Sequence, residues 1–152
     1  MATEDVALAT GAEGGTLVKP DTQQRAPQVN IVNDFSIQIA TVNGSGSQSA
    51  NIVLLKSIFR MGIPVSGKNL FPSNIAGLPT WYTIRASKDG YVARKKEIDL
   101  LVAMNPETAK EDMLSLPAGA AAIYEESADL KQFRNDVACY PVPFDKLTAA
   151  AC

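Results

Sequence analysis

The chain has 152 residues, a formal net charge of −2 and a sequence pI near 5.1. That length suits one domain, and 46% hydrophobic with 20% charged residues is a normal globular balance. The acidic balance argues against a nucleic-acid-binding surface, and no apolar run is long enough to cross a bilayer. There is no histidine and only two cysteines, Cys139 and Cys152. This excludes Ser-His-Asp and Cys-His nucleophile systems, His-ligated zinc or iron, and an iron–sulfur cluster held within the chain. No catalytic residue and no metal ligand set is readable.

Residues 1–33 are rich in small and polar types and show no sustained period, which predicts a disordered leader. They lack the apolar stretch of a secretory signal, and Glu4, Asp5 and Glu13 do not suit a transit peptide. A cytoplasmic protein is therefore expected. Order is expected from 34 to the end. Phe35, Ile37, Ile39 and Thr41 alternate with Ser36, Gln38 and Ala40, predicting a strand over 35–42. A Gly/Ser turn follows at 43–47. From 48 to 61 the period becomes helical, with Ala50, Val53, Leu54, Ser57, Ile58 and Met61 on one side. Ile52, Leu55 and Phe59 widen the apolar surface, which predicts burial on more than one side. Gly62 and Pro64 end the helix.

Residues 66–80 carry Ser66, Gly67, Asn69, Pro72, Gly77 and Pro79, and read as a long loop. Residues 81–85 read as a strand. Lys88-Asp89-Gly90 reads as a hairpin turn, with 91–94 as the returning strand. The apolar run 98–104 fits a buried parallel strand. Asn105-Pro106 then opens a helix over about 106–115. Short strands are expected at 121–124 and 137–141, with a helix from 144 that the chain end cuts off. Strands alternating with helices predict a single α/β domain, Rossmann-like, with a mainly parallel sheet flanked by helices and an inserted β-hairpin.

Charge is unevenly placed. No acid lies between Asp34 and Asp89, a stretch that holds Lys56, Arg60, Lys68, Arg85 and Lys88. From Glu97 onward there are ten acids and four bases. The acid-free stretch fits an anionic ligand, and equally a solvated face or an interface with an acidic subunit.

A strand, a Gly-rich turn and a helix together make an anion cradle, because the first amides of a helix are unpaired and glycine lets a phosphate approach them. Here Gly44-Ser45-Gly46-Ser47-Gln48-Ser49 has the spacing G-x-G-x-x-S. A dinucleotide fingerprint would need one more glycine and an acid about 20 residues on, where Pro64 stands. The Lys-Ser/Thr end of a P-loop is also absent. The candidate ligand-binding residues are Gly44, Ser45, Gly46, Ser47, Lys68 and Arg85. Each has an alternative reading. The glycines could serve turn geometry alone, the serines could cap the helix, and Lys68 and Arg85 could be a surface charge and an ion-pair partner. Trp81 and Tyr82 suit core or interface packing, Cys139 a buried inert thiol, and Asp99 a cap or pairing role.

The run Asn43-Gly44-Ser45-Gly46-Ser47-Gln48-Ser49-Ala50-Asn51 resembles the glycine loop of the gamma-type domain of 2-oxoacid:ferredoxin oxidoreductases, which commonly reads G-x-G-G-Q-G. Gly44, Gly46 and Gln48 match, while Ser47 and Ser49 stand where glycines are usual. The stretches Phe59 to Asn69 and Phe71 to Tyr82, then Ile84-Arg85 and Ser87 to Tyr91, resemble the alpha subunits of the 2-oxoglutarate-type enzymes. In those chains a gamma-type domain precedes the thiamine-diphosphate pyrimidine-binding domain. The resemblance covers about 34–152.

It implies part of an enzyme that converts a 2-oxoacid and coenzyme A to an acyl-CoA and carbon dioxide, passing electrons through a 4Fe-4S cluster to ferredoxin. Thiamine diphosphate, magnesium and the cluster would be held downstream or on a partner, the beta subunit. This domain would then supply assembly and a contact to coenzyme A, without turnover of its own. Family members continue well beyond this length, so a fragment of a longer reading frame is expected. The rival readings are a non-catalytic interaction module and a small nucleotide-binding domain.

Overall fold

The computed structural model describes residues 33–72 and 75–151. All of these fall in the second of two units, Ile31–Cys152. The expected leader, 1–33, lies outside the described residues except for Asn33.

The elements in chain order are β1 (Asp34–Val42), α1 (Ser47–Arg60), β2 (Val65–Leu70), β3 (Pro79–Ser87), β4 (Leu100–Ala103), α2 (Ala109–Leu114), β5 (Ala121–Glu125), β6 (Ala138–Val142) and α3 (Phe144–Ala151). Two 3-10 turns, Glu126–Ala128 and Leu130–Phe133, lie between β5 and β6. One six-stranded sheet results, in the order β2-β3-β1-β4-β5-β6. The pairs β1–β4, β4–β5 and β5–β6 are parallel, whereas β1–β3 and β2–β3 are antiparallel. The mixed α/β fold is the one expected, with the parallel part carried by β1, β4, β5 and β6.

The hairpin is built from other residues than expected. Residues 66–80 were expected as a loop, yet β2 occupies most of the first half of that stretch. It pairs with β3 through Val65↔Ala86 to Leu70↔Trp81. Ser, Gly, Lys and Asn are weak strand formers, but backbone pairing with an aromatic, β-branched neighbour overrides that preference. The expected returning strand, 91–94, forms no strand. Instead the Ser66 hydroxyl donates to the Val92 carbonyl at 3.1 Å and ties this segment beside β2.

Side chains alternate across the sheet, so register sorts them into two faces. One face carries Ile37, Ile39, Tyr82 and Ile84, packed with Ile58 of α1 and flanked by Leu55, Val65 and Val102. The other carries Leu101, Ala103, Ala122 and Tyr124, packed with Ala109 and Met113 of α2 and with Leu130. Each fully buried aliphatic side chain contributes about 1.5–3 kcal/mol, so these two clusters hold the sheet between its helices. Arg134 closes the α2 end. Its Nη1 donates to the carbonyls of Leu114 at 3.1 Å and Leu116 at 3.0 Å, while Nε and Nη2 grip Asp136. That pairing holds the Asp136 carboxyl below its usual range.

The buried stripe of α1 differs from the expected one. Asn51 and Ile58 are its buried residues, with Leu55 packed beside them. Ala50, Val53, Leu54, Ser57 and Met61 face outward, Val53 at 63% and Met61 at 74% exposure. Ile52, Val53, Leu54, Leu55, Ile58 and Phe59 fall on several sides of the helix, so periodicity does not say which stripe meets the sheet. The expectation of burial on more than one side is therefore corrected: one apolar side is left open.

Candidate functional site

The glycine turn sits at the C-terminal end of β1. Gly44 and Gly46 have φ of 90° and 78°, the left-handed region that glycine adopts without cost. Gly46 is the N-cap of α1, and no side chain caps the helix. The serines therefore do not serve as caps. Ser47 instead bonds the Thr41 hydroxyl, oxygen to oxygen 2.8 Å. Ser49 N–H reaches the Gly46 carbonyl at 3.1 Å. The amides of Ser47 and Gln48 precede that bond and belong to the unpaired first turn of a 14-residue helix. Their dipoles make this end of the turn positive.

The neighbouring loop holds the turn in place. Asn43 N–H donates to Leu78 O at 2.8 Å, and Gly77 N–H donates to Asn43 O at 3.0 Å. The Asn43 side-chain amide donates to Ile75 O at 3.0 Å. The result is a cleft of about 320 Å³. Gly44, Gly46, Ser47 and Gln48 form one side, and Thr41, Asn69, Thr80 and Tyr82 form the other. Burial pushes the Tyr82 phenol above its ordinary value, so it faces the cleft in its neutral form.

The six residues expected to share one site are divided by the structure. Gly44, Gly46 and Ser47 line this cleft, but Ser45, exposed, does not. Lys68 and Arg85 are also absent from it. In the β2–β3 register Lys68 is opposite Thr83, and Ser66 opposite Arg85. These positions alternate with Asn69 and Tyr82, so they lie on the other face of the sheet. The Arg85 guanidinium is already engaged. Its Nη1 donates to Ala86 O at 2.6 Å and Phe35 O at 3.2 Å, and it forms an ion pair with Asp34. It joins the start of β1 to the end of β3. Asp99 takes the pairing role expected of it, accepting the Ser36 amide at 2.8 Å. Cys139 is only half-buried on β6, less enclosed than expected.

Sequence reasoning missed Asn69 and Thr80 in the cleft, because both stood within the expected loop. It also missed Asp112, which is 8% exposed on α2. Asp112 Oδ1 accepts the Trp81 indole N–H at 2.9 Å and the Gln38 amide at 3.5 Å. Burial pushes this carboxyl above its usual range, against the opposing pull of Thr108 and Trp81, and Glu111 adds to the rise. The Thr108 hydroxyl is buried beside this carboxyl and lowers it as a hydrogen-bond partner. Among the described residues, no group of three or more His, Cys, Asp or Glu side chains comes together to hold a metal. Among the same residues, no helix is long and apolar enough to cross a membrane.

A mixed sheet flanked by helices, with a glycine turn and an uncapped helix start above β1, defines a mixed α/β domain. Comparison with known proteins narrows this. Residues 36–151 match the pyruvate ferredoxin/flavodoxin oxidoreductase family, and the chain belongs to that family. It is homologous to the alpha subunit of 2-oxoacid:ferredoxin oxidoreductase 2 from Aeropyrum pernix, 26% identical over 92 residues. That match takes in 60% of this chain and 14% of the relative.

Among solved structures, the 2-oxoglutarate:ferredoxin oxidoreductase of Magnetococcus marinus, with 2-oxoglutarate, coenzyme A and succinyl-CoA bound, aligns with a TM-score of 0.70. The identity is 24%, over 79% of this chain and 22% of that one. The pyruvate oxidoreductase subunit PORC of Thermotoga maritima aligns with a TM-score of 0.55 at 16% identity, over 70% of this chain and 57% of that one. A keto/oxoacid ferredoxin oxidoreductase gamma subunit from Geobacter sulfurreducens gives 0.53 at 12%, over 70% and 60%. The last two alignments cover 57% and 60% of a separate subunit, so the fold of this chain also occurs within such subunits.

Proposed function

We propose that this chain works as one domain of a 2-oxoacid:ferredoxin oxidoreductase that decarboxylates 2-oxoglutarate with coenzyme A, in the cytoplasm, and that it carries out no chemistry alone. Two cysteines are too few to hold an iron–sulfur cluster, and the family resemblance implies that thiamine diphosphate and magnesium are held elsewhere. Those groups would belong to other parts of the enzyme, including a beta subunit, with ferredoxin as electron acceptor.

Two roles remain for this domain. The first is assembly. The open side of α1, with Val53, Leu54 and Met61 exposed, is an apolar surface that a partner would cover. The second is contact with coenzyme A, and the observation that carries it is the uncapped start of α1 above a 320 Å³ cleft. A phosphate of the ligand would meet the Ser47 and Gln48 amides across Gly44 and Gly46. Calorimetry of the 152-residue chain with coenzyme A tests this. Saturable binding that weakens on Gly46→Ala and is unchanged on Lys68→Ala supports the contact. Absence of binding, with retained capture of the beta subunit, leaves assembly as the domain's role.

A further inference from the structure

The sheet face opposite the glycine turn carries a second cleft, of about 380 Å³, which the coenzyme A reading does not use. Its parts converge from five places in the chain. Trp81 of β3 and Gln38 of β1 lie on this face, side by side in the β1–β3 register, where Gln38 pairs with Thr83 and Ala40 with Trp81. Asp112 reaches them from α2 and fixes the indole through its N–H at 2.9 Å. Leu70 and Ile98 supply apolar walls. Arg94, Lys95 and Lys96 form the rim, and none of the three is in an ion pair among the described residues.

Each part has a cost that a ligand would offset. A buried carboxyl is expensive to keep charged even with Trp81, Gln38 and Thr108 around it. Three consecutive cations at one rim repel each other unless an anion sits among them. Arg94 also borders a third cleft, of about 250 Å³, together with Lys68 and Thr83. The Thr83 hydroxyl there is buried and unpartnered. The second and third clefts thus share Arg94 on one sheet face, the former walled by an indole and aliphatic groups, the latter cationic and hydroxylic.

We propose that this face binds a nucleoside phosphate. The heteroaromatic ring lies against Trp81 between Leu70 and Ile98, where stacking and apolar burial favour it. Gln38 and Asp112 meet the nitrogen-bearing edge of the ring. The phosphates lie on Arg94, Lys95 and Lys96 and extend toward Lys68 and Thr83, held by charge-assisted bonds. A bare inorganic anion would leave the indole, the aliphatic walls and the polar floor unused. The ligand could be a free nucleotide or the nucleotide end of a larger cofactor, since both present the same groups. The proposal does not rest on the coenzyme A contact at the glycine turn, which lies on the other face.

Trp81 is the chain's single tryptophan and lines this cleft, so its emission reports binding here, and Gly46→Ala controls for the other cleft. The test titrates the 152-residue chain with ADP, inorganic pyrophosphate and coenzyme A, exciting where adenine does not absorb. The expected result is saturable quenching by ADP, with pyrophosphate at least about tenfold weaker. The surface double variant Lys95→Ala/Lys96→Ala keeps its melting temperature and weakens ADP by about tenfold or more, while Gly46→Ala leaves ADP unchanged. Quenching by ADP alone identifies a free nucleotide. Quenching by coenzyme A that the same double variant weakens identifies the nucleotide end of the larger cofactor. Three results would overturn the proposal: no saturable quenching by either, pyrophosphate as effective as ADP, or a double variant with unaltered affinity.

Discussion

The Tyr82 hydroxyl occupies the space that a side chain at Gly67 would need. A Cβ at Gly67 would run into that oxygen and come within 2.9 Å of the ring carbon that bears it. The two residues are near neighbours on the antiparallel pair β2–β3, where Asn69 is directly opposite Tyr82 and Gly67 opposite Ile84. Gly67 thus lets a buried tyrosine lie flat along an edge strand.

Gly67→Ala is expected to destabilise the domain by about 1–3 kcal/mol, the usual cost of overpacking. Shortening the tyrosine should relieve it. Urea unfolding of Gly67→Ala, Tyr82→Leu and the double variant should show a coupling of about 1 kcal/mol or more. Strict additivity would mean that the two side chains do not compete for one space.

The phase of α1 can be checked in the same way. Ile58 is 9% exposed and Val53 63%. Ile58→Ala should cost about 2–5 kcal/mol, and Val53→Ser no more than about 0.5 kcal/mol. If Val53→Ser proved the costlier change, the opposite stripe of the helix would be the buried one. If the open side serves assembly, Val53→Asp with Leu54→Asp should abolish partner capture and leave the fold intact.

Asp112 should give the domain a distinctive pH dependence. Burial raises its carboxyl above the usual range in the folded state, so the folded form holds this proton more tightly than the unfolded chain does. Its contribution to stability is fully present below the unfolded value and is lost as pH rises through the raised folded value. Asp112→Asn keeps an oxygen for the Trp81 N–H and removes the titration. Measured by urea unfolding from about pH 3 to about pH 7, the Asn variant should gain on the wild type as pH rises. A constant difference across the range would show that Asp112 does not titrate differently on folding.

Gly46 holds a left-handed conformation, with φ of 78°, that costs other residues about 1–2 kcal/mol. No atom lies within 4 Å of the Cβ an alanine would add, so the penalty is one of conformation alone. Gly46→Ala should therefore lower stability by that amount, and weaken coenzyme A binding, while Trp81 emission in the ADP titration is unaffected.

Much of the fold was legible because the signals were local. The alternation of Phe35, Ile37 and Ile39 marked β1, the apolar run around Leu101 marked β4, and Gly62 with Pro64 marked the end of α1. β2 was not legible, since Ser66-Gly67-Lys68-Asn69 forms a strand only because β3 pairs with it. That one error also misplaced the site. Lys68 read as a loop residue could join the glycine turn, but as a strand residue it is held on the far face by register. Arg85 likewise carries the chemistry of an anion ligand, and only the fold shows Asp34, Phe35 and Ala86 already occupying it. The Trp81–Asp112 pair joins residues 31 apart in sequence, and nothing local announces it. The run Arg94-Lys95-Lys96 acquires neighbours only through the fold, which brings Trp81 and Asp112 beside it.

The most direct test of the domain's role is a turnover assay. The 152-residue chain is supplied with 2-oxoglutarate, coenzyme A, thiamine diphosphate, magnesium and oxidised ferredoxin, first alone and then with the remaining parts of the oxidoreductase. The expected result is no reduction of ferredoxin by the chain alone and coenzyme A-dependent reduction once the complex is assembled. Reduction of ferredoxin by the purified chain on its own would contradict a role confined to assembly and ligand contact.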